Sequence, residues 1–243
     1  MYRVTIIGSG NMAGEYVRVI QNIGNFKING IVTRKVSSYK KLAQKINYKV
    51  KRLKISDLTQ IRSDLIIVAI SEENIFKILK QISNVKSIIL CEKPIGLNYS
   101  EFSKILKLFE IKNTKLFVAL NRRYYQSMNM LKKLIEINSI GRINIVDQQD
   151  QNLMKKNGKK KKVIKYLMYA NSVHLIDLIN FFSLNSSYKI LKKKIIRSSK
   201  TKIIECEIKT HRIIFKYKCY WNIKKRWEIK AFGRNKIYRL KPT

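Results

Sequence analysis

Through the first 120 residues, short apolar runs alternate with stretches of helical periodicity, and that alternation restricts the chain to very few folds. The runs YRVTII, NFKINGIVT, SDLIIVAI, VKSIIL and TKLFVAL are strand-length and rich in β-branched residues. Between them lie the helical patterns NMAGEYVRVIQNI, SSYKKLAQKI, EENIFKILKQI and NYSEFSKILKLFEIKN. The last has apolar residues at Phe102, Ile105, Leu106 and Phe109, and Ser37 and Ser38 are suited to cap the second. Strands that alternate with helices at this spacing imply a parallel sheet with right-handed crossovers. The expectation is a doubly wound α/β domain of Rossmann type over residues 1–120.

Beyond residue 120 the pattern changes. RYYQSMNMLKKLIEI reads as a helix, GRINIVDQQDQN as a strand and ANSVHLIDLINFF as an amphipathic helix. From YKILKKKIIRSS onward the chain alternates in strand fashion through TKIIECEIKT, HRIIFKYKCYW, RWEIKAFG and NKIYRLK. Asn185-Ser186-Ser187, His211-Arg212 and Gly233-Arg234-Asn235 supply the turns. Residues 121–243 are therefore expected to form a smaller α+β domain with a mainly antiparallel sheet. Exposed edge strands there suggest a homodimer or higher homo-oligomer, because pairing would protect them.

The net charge is +37, with 26 basic and 11 acidic residues before position 151 and 26 and 4 after it. Charge of this size favours anionic partners. Lysine, however, is spread along the whole chain together with isoleucine and asparagine, as a compositional bias spreads it, and not in a recognition helix. Nucleic acid is accordingly not the expected partner. The one concentrated run, KKNGKKKK at 155–162, reads as a solvated loop. No apolar stretch reaches the roughly 18 residues a membrane span needs. The start, MYRVTIIGSG, lacks the pattern of a signal peptide. Cys91, Cys206 and Cys219 are odd in number and far apart, which points to a reducing compartment with neither a disulfide frame nor a metal site. The expected location is the cytoplasm.

Gly8-Ser9-Gly10-Asn11-Met12-Ala13 fits G-x-G-x-x-G/A at the first strand-to-helix turn, the context in which that pattern binds dinucleotides. Gly8 permits the tight turn, Gly10 lets backbone approach a pyrophosphate, and the small Ala13 lets helix pack on strand. The anion would sit on the helix N-terminus, where free amides and the helix dipole favour it. At the ribose-reading position, about 20 residues on, stand Val32-Thr33-Arg34-Lys35 with no acid. An acid would select the free 2′-hydroxyl of NAD, whereas Arg34 suits a 2′-phosphate, so NADP(H) is expected to be favoured over NAD(H).

The remaining chemistry gathers on CEKPIGLN, 91–98, which follows VKSIIL and so falls at the carboxyl end of a buried strand, where open α/β sheets bind ligands. GSGNMA, CEKP, VALNRRYY and SVHLIDL together resemble the Gfo/Idh/MocA family of NAD(P)-dependent dehydrogenases across roughly residues 1–182. Members act mostly on sugars, inositols and nucleotide sugars. The resemblance implies that Lys93 lies near nicotinamide and substrate and holds the reacting oxygen. Glu92 helps to position it, and Pro94 fixes the turn, a cis bond being one way. It implies cofactor contacts from Ser71 and Arg122, and substrate contacts from Asn121, Tyr124 and Asn171. His174 takes the place of the acid/base histidine, with Asp177 one turn later on the same helix face as a structural or orienting partner. Histidine suits proton exchange near neutral pH, and a lysine ammonium can stabilise a developing alkoxide.

The sequence departs from the family in two respects. Ala170 stands where D-x-x-x-H has its aspartate, with Asn171 beside it, and an amide cannot take a proton. The second domain is also short. An oxidoreductase acting on a sugar or nucleotide sugar ranks first. A non-catalytic NAD(P)-binding sensor on the same fold ranks second, and a nucleic-acid binder, resting on charge alone, third.

Overall fold

The computed structural model describes residues 1–197, 202–221, 223 and 226–242. The backbone divides into two compact units, Met1–Ala119 and Leu120–Thr243.

The first unit is built on one fully parallel sheet. Its strands are β1 (Tyr2–Ile7), β2 (Phe26–Val32), β3 (Lys51–Leu53), β4 (Leu65–Val68), β5 (Ile88–Cys91) and β6 (Leu116–Val118). Their order in space is β3-β2-β1-β4-β5-β6. The chain winds outward from β1 in one direction and from β4 in the other, so the strand order reverses between β1 and β4. At such a switch the connections leave in opposite directions and open a crevice at the carboxyl ends. Val4, Ile6, Ile28, Ile66, Ile67 and Val68 are fully or almost fully buried because helices cover both faces of the sheet. One face packs α1 (Asn11–Ile23) and α2 (Val36–Ala43) through Ala13, Val17, Ile20 and Leu42. The other packs α3 (Glu72–Gln81) and α4 (Tyr99–Ile111) through Ile75, Leu79, Ile105 and Phe109.

Two details of this unit differ from the sequence expectation. β3 lies in KVKRL, which has charged residues on both sides and only three paired positions, too few for alternation to register. Helix α2 begins one residue before the serines, with Lys35 at its N-cap and no side-chain cap. Ser37 and Ser38 lie inside the first turn and bond to no helix end.

The second unit contains α5 (Gln126–Glu136), β7 (Ile140–Gln149), α6 (Gln151–Lys156), α7 (Lys161–Lys165), a π-helical turn at Met168–Ser172 and α8 (Val173–Phe182). Five strands follow: β8 (Lys189–Arg197), β9 (Lys202–Lys209), β10 (Ile214–Trp221), β11 (Glu228–Gly233) and β12 (Ile237–Leu240). The sheet order is β12-β11-β7-β10-β9-β8, with every pairing antiparallel except β7 with β10. Ile143, Ile145, Phe215, Tyr217, Cys219, Ile229 and Ala231 form the inner face, against Met128, Leu131, Leu178 and Phe182 from the helices.

The lysine run is not a plain loop. Asp150 ends β7 by capping α6, its carboxylate accepting from Leu153 N at 2.9 Å. Lys155 and Lys156 then fall in the last turn of α6, and Lys161, Lys162 and Lys165 lie on α7. Only Asn157–Lys160 connects the two. The apolar pair Val163 and Ile164 is buried and pins α7 to the core, which overrides the solvation of the lysines around it.

Candidate functional site

At the end of β1, Gly8 adopts φ +123°, a backbone region L side chains avoid. A Cβ there would also lie 2.0 Å from the carbonyl oxygen of Ala69. The tight turn is thus set by β4 pressing against it, and Gly8 N donates to Val32 O at 3.0 Å. Gly10 has a different reason for being glycine. Its φ is −82°, open to any residue, and a Cβ would meet nothing within 4 Å. It is the N-cap of α1, with no side-chain cap and no acid in the first turn. The first amides of this 13-residue helix therefore have no capping side chain and no first-turn carboxylate competing for them. This arrangement fits a dinucleotide pyrophosphate. Ala13 is fully buried, and Asn11 and Met12 are exposed at the helix start.

At the end of β2, Thr33 is buried and its hydroxyl lies 3.1 Å from that of Ser9, which joins the ribose position to the glycine turn. Arg34 is exposed. Beside it stands a residue the sequence reading missed. Arg52, on β3, donates to the carbonyls of Arg34 at 3.0 Å and Thr33 at 3.4 Å, while its buried Nε finds no acceptor among the described residues. The Arg52 guanidinium thus lies at the backbone of the position that lacks an acid, where Arg34 is the exposed residue. The missed strand β3 concealed it.

At the end of β5, Glu92 N continues the ladder to Val68 O at 2.9 Å before the chain turns through a cis Lys93–Pro94 bond. Lys93 is half-buried between two anchors. Upstream, Cys91 is fully buried, and burial pushes its thiol pKa far up. Downstream, Ile95 and Leu97 are buried, and two hydrogen bonds fix the start of α4: the N-cap Asn98 Oδ1 accepts from Glu101 N at 3.0 Å, and Glu101 Oε2 accepts from Leu97 N, one residue before the cap, at 2.8 Å. Gly96 lies so close to this helix start that a Cβ would come within 2.6 Å of Phe102 N. Glu92 accepts a hydrogen bond from Tyr16 on α1, another residue absent from the sequence reading. Ser71 is the N-cap of α3, and its Oγ accepts from Asn74 Nδ2 at 2.8 Å, leaving the helix amides uncapped by it.

The second unit assembles its own group. Asn121–Tyr124 form a short 3-10 turn. Arg122 packs its guanidinium 4.9 Å from the ring centroid of Trp227. Burial lowers its pKa, against the opposing charges of Tyr125 and Asp147. Tyr124 is 81% exposed and touches little of its own unit. His174 is half-buried on the first turn of α8, next to the π-helical turn, an irregularity common near functional groups. Asp177, one turn further along α8, is held by Arg123, which donates to both its carboxylate oxygens through Nε and a terminal nitrogen. Asn171 is tied into a buried chain, its amide donating to Gln149 Oε1 at 2.5 Å. Gln149 in turn donates to Asp147 Oδ1 at 2.6 Å, and Tyr217 donates to Asp147 Oδ2 at 2.9 Å. Asp147 accepts from both neighbours, and with Gln149 donating to it through Nε2, the Gln149 Oε1 is left to accept from Asn171.

Asp147 and Gln149 were not anticipated from sequence. Their alternation with Ile143 and Ile145 on β7 was the available signal, since residues two apart share a face. Ala170, four residues before His174, is 2% exposed, so a buried methyl stands there. Among the described residues no group of three or more His, Cys, Asp or Glu could hold a metal, and no helix is long and apolar enough to cross a membrane.

Residues 2–120 match the model of the oxidoreductase family with NAD-binding Rossmann fold, Gfo/Idh/MocA. No curated protein sequence matches the chain. Among solved structures, the WlbA dehydrogenase from Bordetella pertussis, in complex with NADH and UDP-GlcNAcA, is similar with TM-score 0.79 at 13% identity, over 99% of this chain and 79% of that one. A dehydrogenase from Chromobacterium violaceum gives TM-score 0.81 at 13% identity, over 99% and 72%. The myo-inositol 2-dehydrogenase from Lactobacillus plantarum gives 0.73 at 17%, over 98% and 76%. At these identities the likeness establishes the fold.

Proposed function

We propose, from the premise that over residues 2–120 this chain belongs to the Gfo/Idh/MocA family of oxidoreductases, that it moves hydride between a nicotinamide dinucleotide and a hydroxyl or carbonyl carbon of a sugar or nucleotide sugar. The observation that carries this reading is the presence of an open, uncapped helix start at Gly10 and a half-buried Lys93 on the carboxyl edge of one parallel sheet. Gly8, Gly10, Asn11, Met12 and Ala13 would hold the pyrophosphate, and Thr33 and Arg34 the adenosine ribose. The bound nicotinamide supplies the hydride acceptor or donor. Lys93 holds the reacting oxygen and stabilises negative charge on it, while His174 takes or returns the hydroxyl proton. Ser71 and Arg122 would contact the cofactor, and Asn121, Tyr124 and Asn171 orient the substrate.

NADP(H) is favoured in this reading. Support comes from the exposed Arg34, from Arg52 at the Thr33 and Arg34 carbonyls, and from the lack of an acid in Val32–Lys35. Strands β8 and β12 are the sheet edges of the second unit, and a homo-oligomer formed through them belongs to the same proposal. A second reading, a dinucleotide-binding sensor without turnover, is favoured by Ala170, which leaves no carboxylate where the family pattern puts one.

Turnover of a panel of sugars and nucleotide sugars by wild type, Lys93→Ala and His174→Ala tests the proposal. Loss of about 10²–10³-fold is expected for Lys93 and of about 10²–10⁴-fold for His174, with cofactor affinity nearly unchanged. Unchanged turnover in both variants would contradict the assignment. Cofactor binding with no wild-type turnover of any panel member would favour the sensor.

A further inference from the structure

Tyr16 lies on α1, six residues beyond Gly10, and its hydroxyl donates to Glu92 Oε1 at 2.8 Å. Helix α1 leaves the sheet from β1 and Glu92 follows β5, with β4 between those strands, so this bond reaches across the carboxyl end of the middle strand. The side chain is half-buried and packs against the core cluster to which Ala13, Val17 and Ile20 belong. Burial first, and then the charge of Glu92, push the phenol pKa well above its ordinary value. The hydroxyl is consequently a permanent donor at any pH the protein meets, and the carboxylate it serves only accepts.

We propose that Tyr16 is a positioning residue: through Glu92 it ties the Lys93–Pro94 turn to the helix whose start receives the pyrophosphate. The two halves of the dinucleotide cleft are then ordered together. This inference rests on the dinucleotide reading above and adds to it a residue that touches neither cofactor nor substrate. Its signature is selective. The adenosine-diphosphate half of the cofactor meets the glycine turn and the end of β2, which Tyr16 does not hold. The nicotinamide half meets the Lys93 turn, which it does.

The test is the affinity of wild type and Tyr16→Phe for NADPH and for 2′-phospho-ADP-ribose, the cofactor without its nicotinamide. Phenylalanine keeps the ring packing and removes only the donor. NADPH binding is expected to weaken roughly five- to tenfold, as loss of pre-organisation weakens it, while the fragment binds within twofold of wild type. In a Glu92→Ala background the same Tyr16→Phe change is expected to have no further effect, because residues that act through one contact are not additive. Equal NADPH affinity in wild type and Tyr16→Phe would overturn the proposal. So would an equal loss for NADPH and fragment, which would mark Tyr16 as a support of α1 alone. A wild type that binds neither ligand would remove the dinucleotide reading itself, and this inference with it, and that result is visible before any variant is made.

Discussion

Asp147 is 1% exposed, yet its carboxylate is fully employed by Tyr217 and Gln149. Burying such a group is costly unless its oxygens are satisfied, and here the satisfaction extends through Gln149 to Asn171. Replacing it tests whether this chain is structural. Asp147→Ala strands the Tyr217 hydroxyl and the Gln149 amide and should cost about 1–3 kcal/mol in stability, read from denaturant unfolding. A change below about 0.5 kcal/mol would mean that the chain is not held as a unit. The Tyr217 hydroxyl is raised well above its ordinary pKa by burial and then by Asp147, so it donates throughout the accessible range. The Cys219 thiol is pushed up to about 12, chiefly by burial, and remains neutral beside it. These residues lie far apart in sequence, on β7, β10 and the π-helical turn. No local pattern joins them, and the sequence reading found only the Asn171 end.

At the scale of elements, the glycine turn separates two constraints that the motif alone merges. Gly8 is held by a positive φ and by Ala69 O, whereas Gly10 is unconstrained by the protein. Gly8→Ala should therefore destabilise the first unit by at least about 2 kcal/mol, measured by chemical unfolding. Gly10→Ala should cost under about 1 kcal/mol. Similar losses at the two positions would contradict this division of roles. The strands and helices that define the doubly wound unit were legible because burial on both faces writes continuous apolar runs. β3 was not legible, since Lys51, Arg52 and Leu53 form an edge with no apolar run. The register of the second sheet was likewise hidden. The alternation of Ile214–Trp221 announces a strand, but only the fold reveals that it runs parallel to β7. The helices within the lysine run were concealed by their charge, and what stabilises them is two buried residues.

Over the whole molecule the charge is used economically on one side only. Residues 151–243 contain four acids, and each is paired: Asp177 with Arg123, Glu205 with Lys218, Glu207 with Lys216, and Glu228 with Lys230, Arg239 and Lys241. Most of these pairs are exposed on the sheet and individually worth little. The remaining positive charge repels itself, and salt screens repulsion over a Debye length of about 8–10 Å near physiological ionic strength. The melting temperature should therefore rise between low and moderate sodium chloride. A fall would show that the ion pairs outweigh the repulsion.

The central claim is that the carboxyl edge of the parallel sheet binds a nicotinamide dinucleotide at the glycine turn. The most direct test is titration of the purified protein with NADPH and NADH, followed by nicotinamide fluorescence, with Gly10→Glu as the control. The Cβ of that variant projects into open space, so the fold is kept while a carboxylate meets the pyrophosphate. The account predicts saturable binding, tighter for NADPH than for NADH and lost in Gly10→Glu. Binding of neither dinucleotide by wild type, or equal binding by Gly10→Glu, would contradict it.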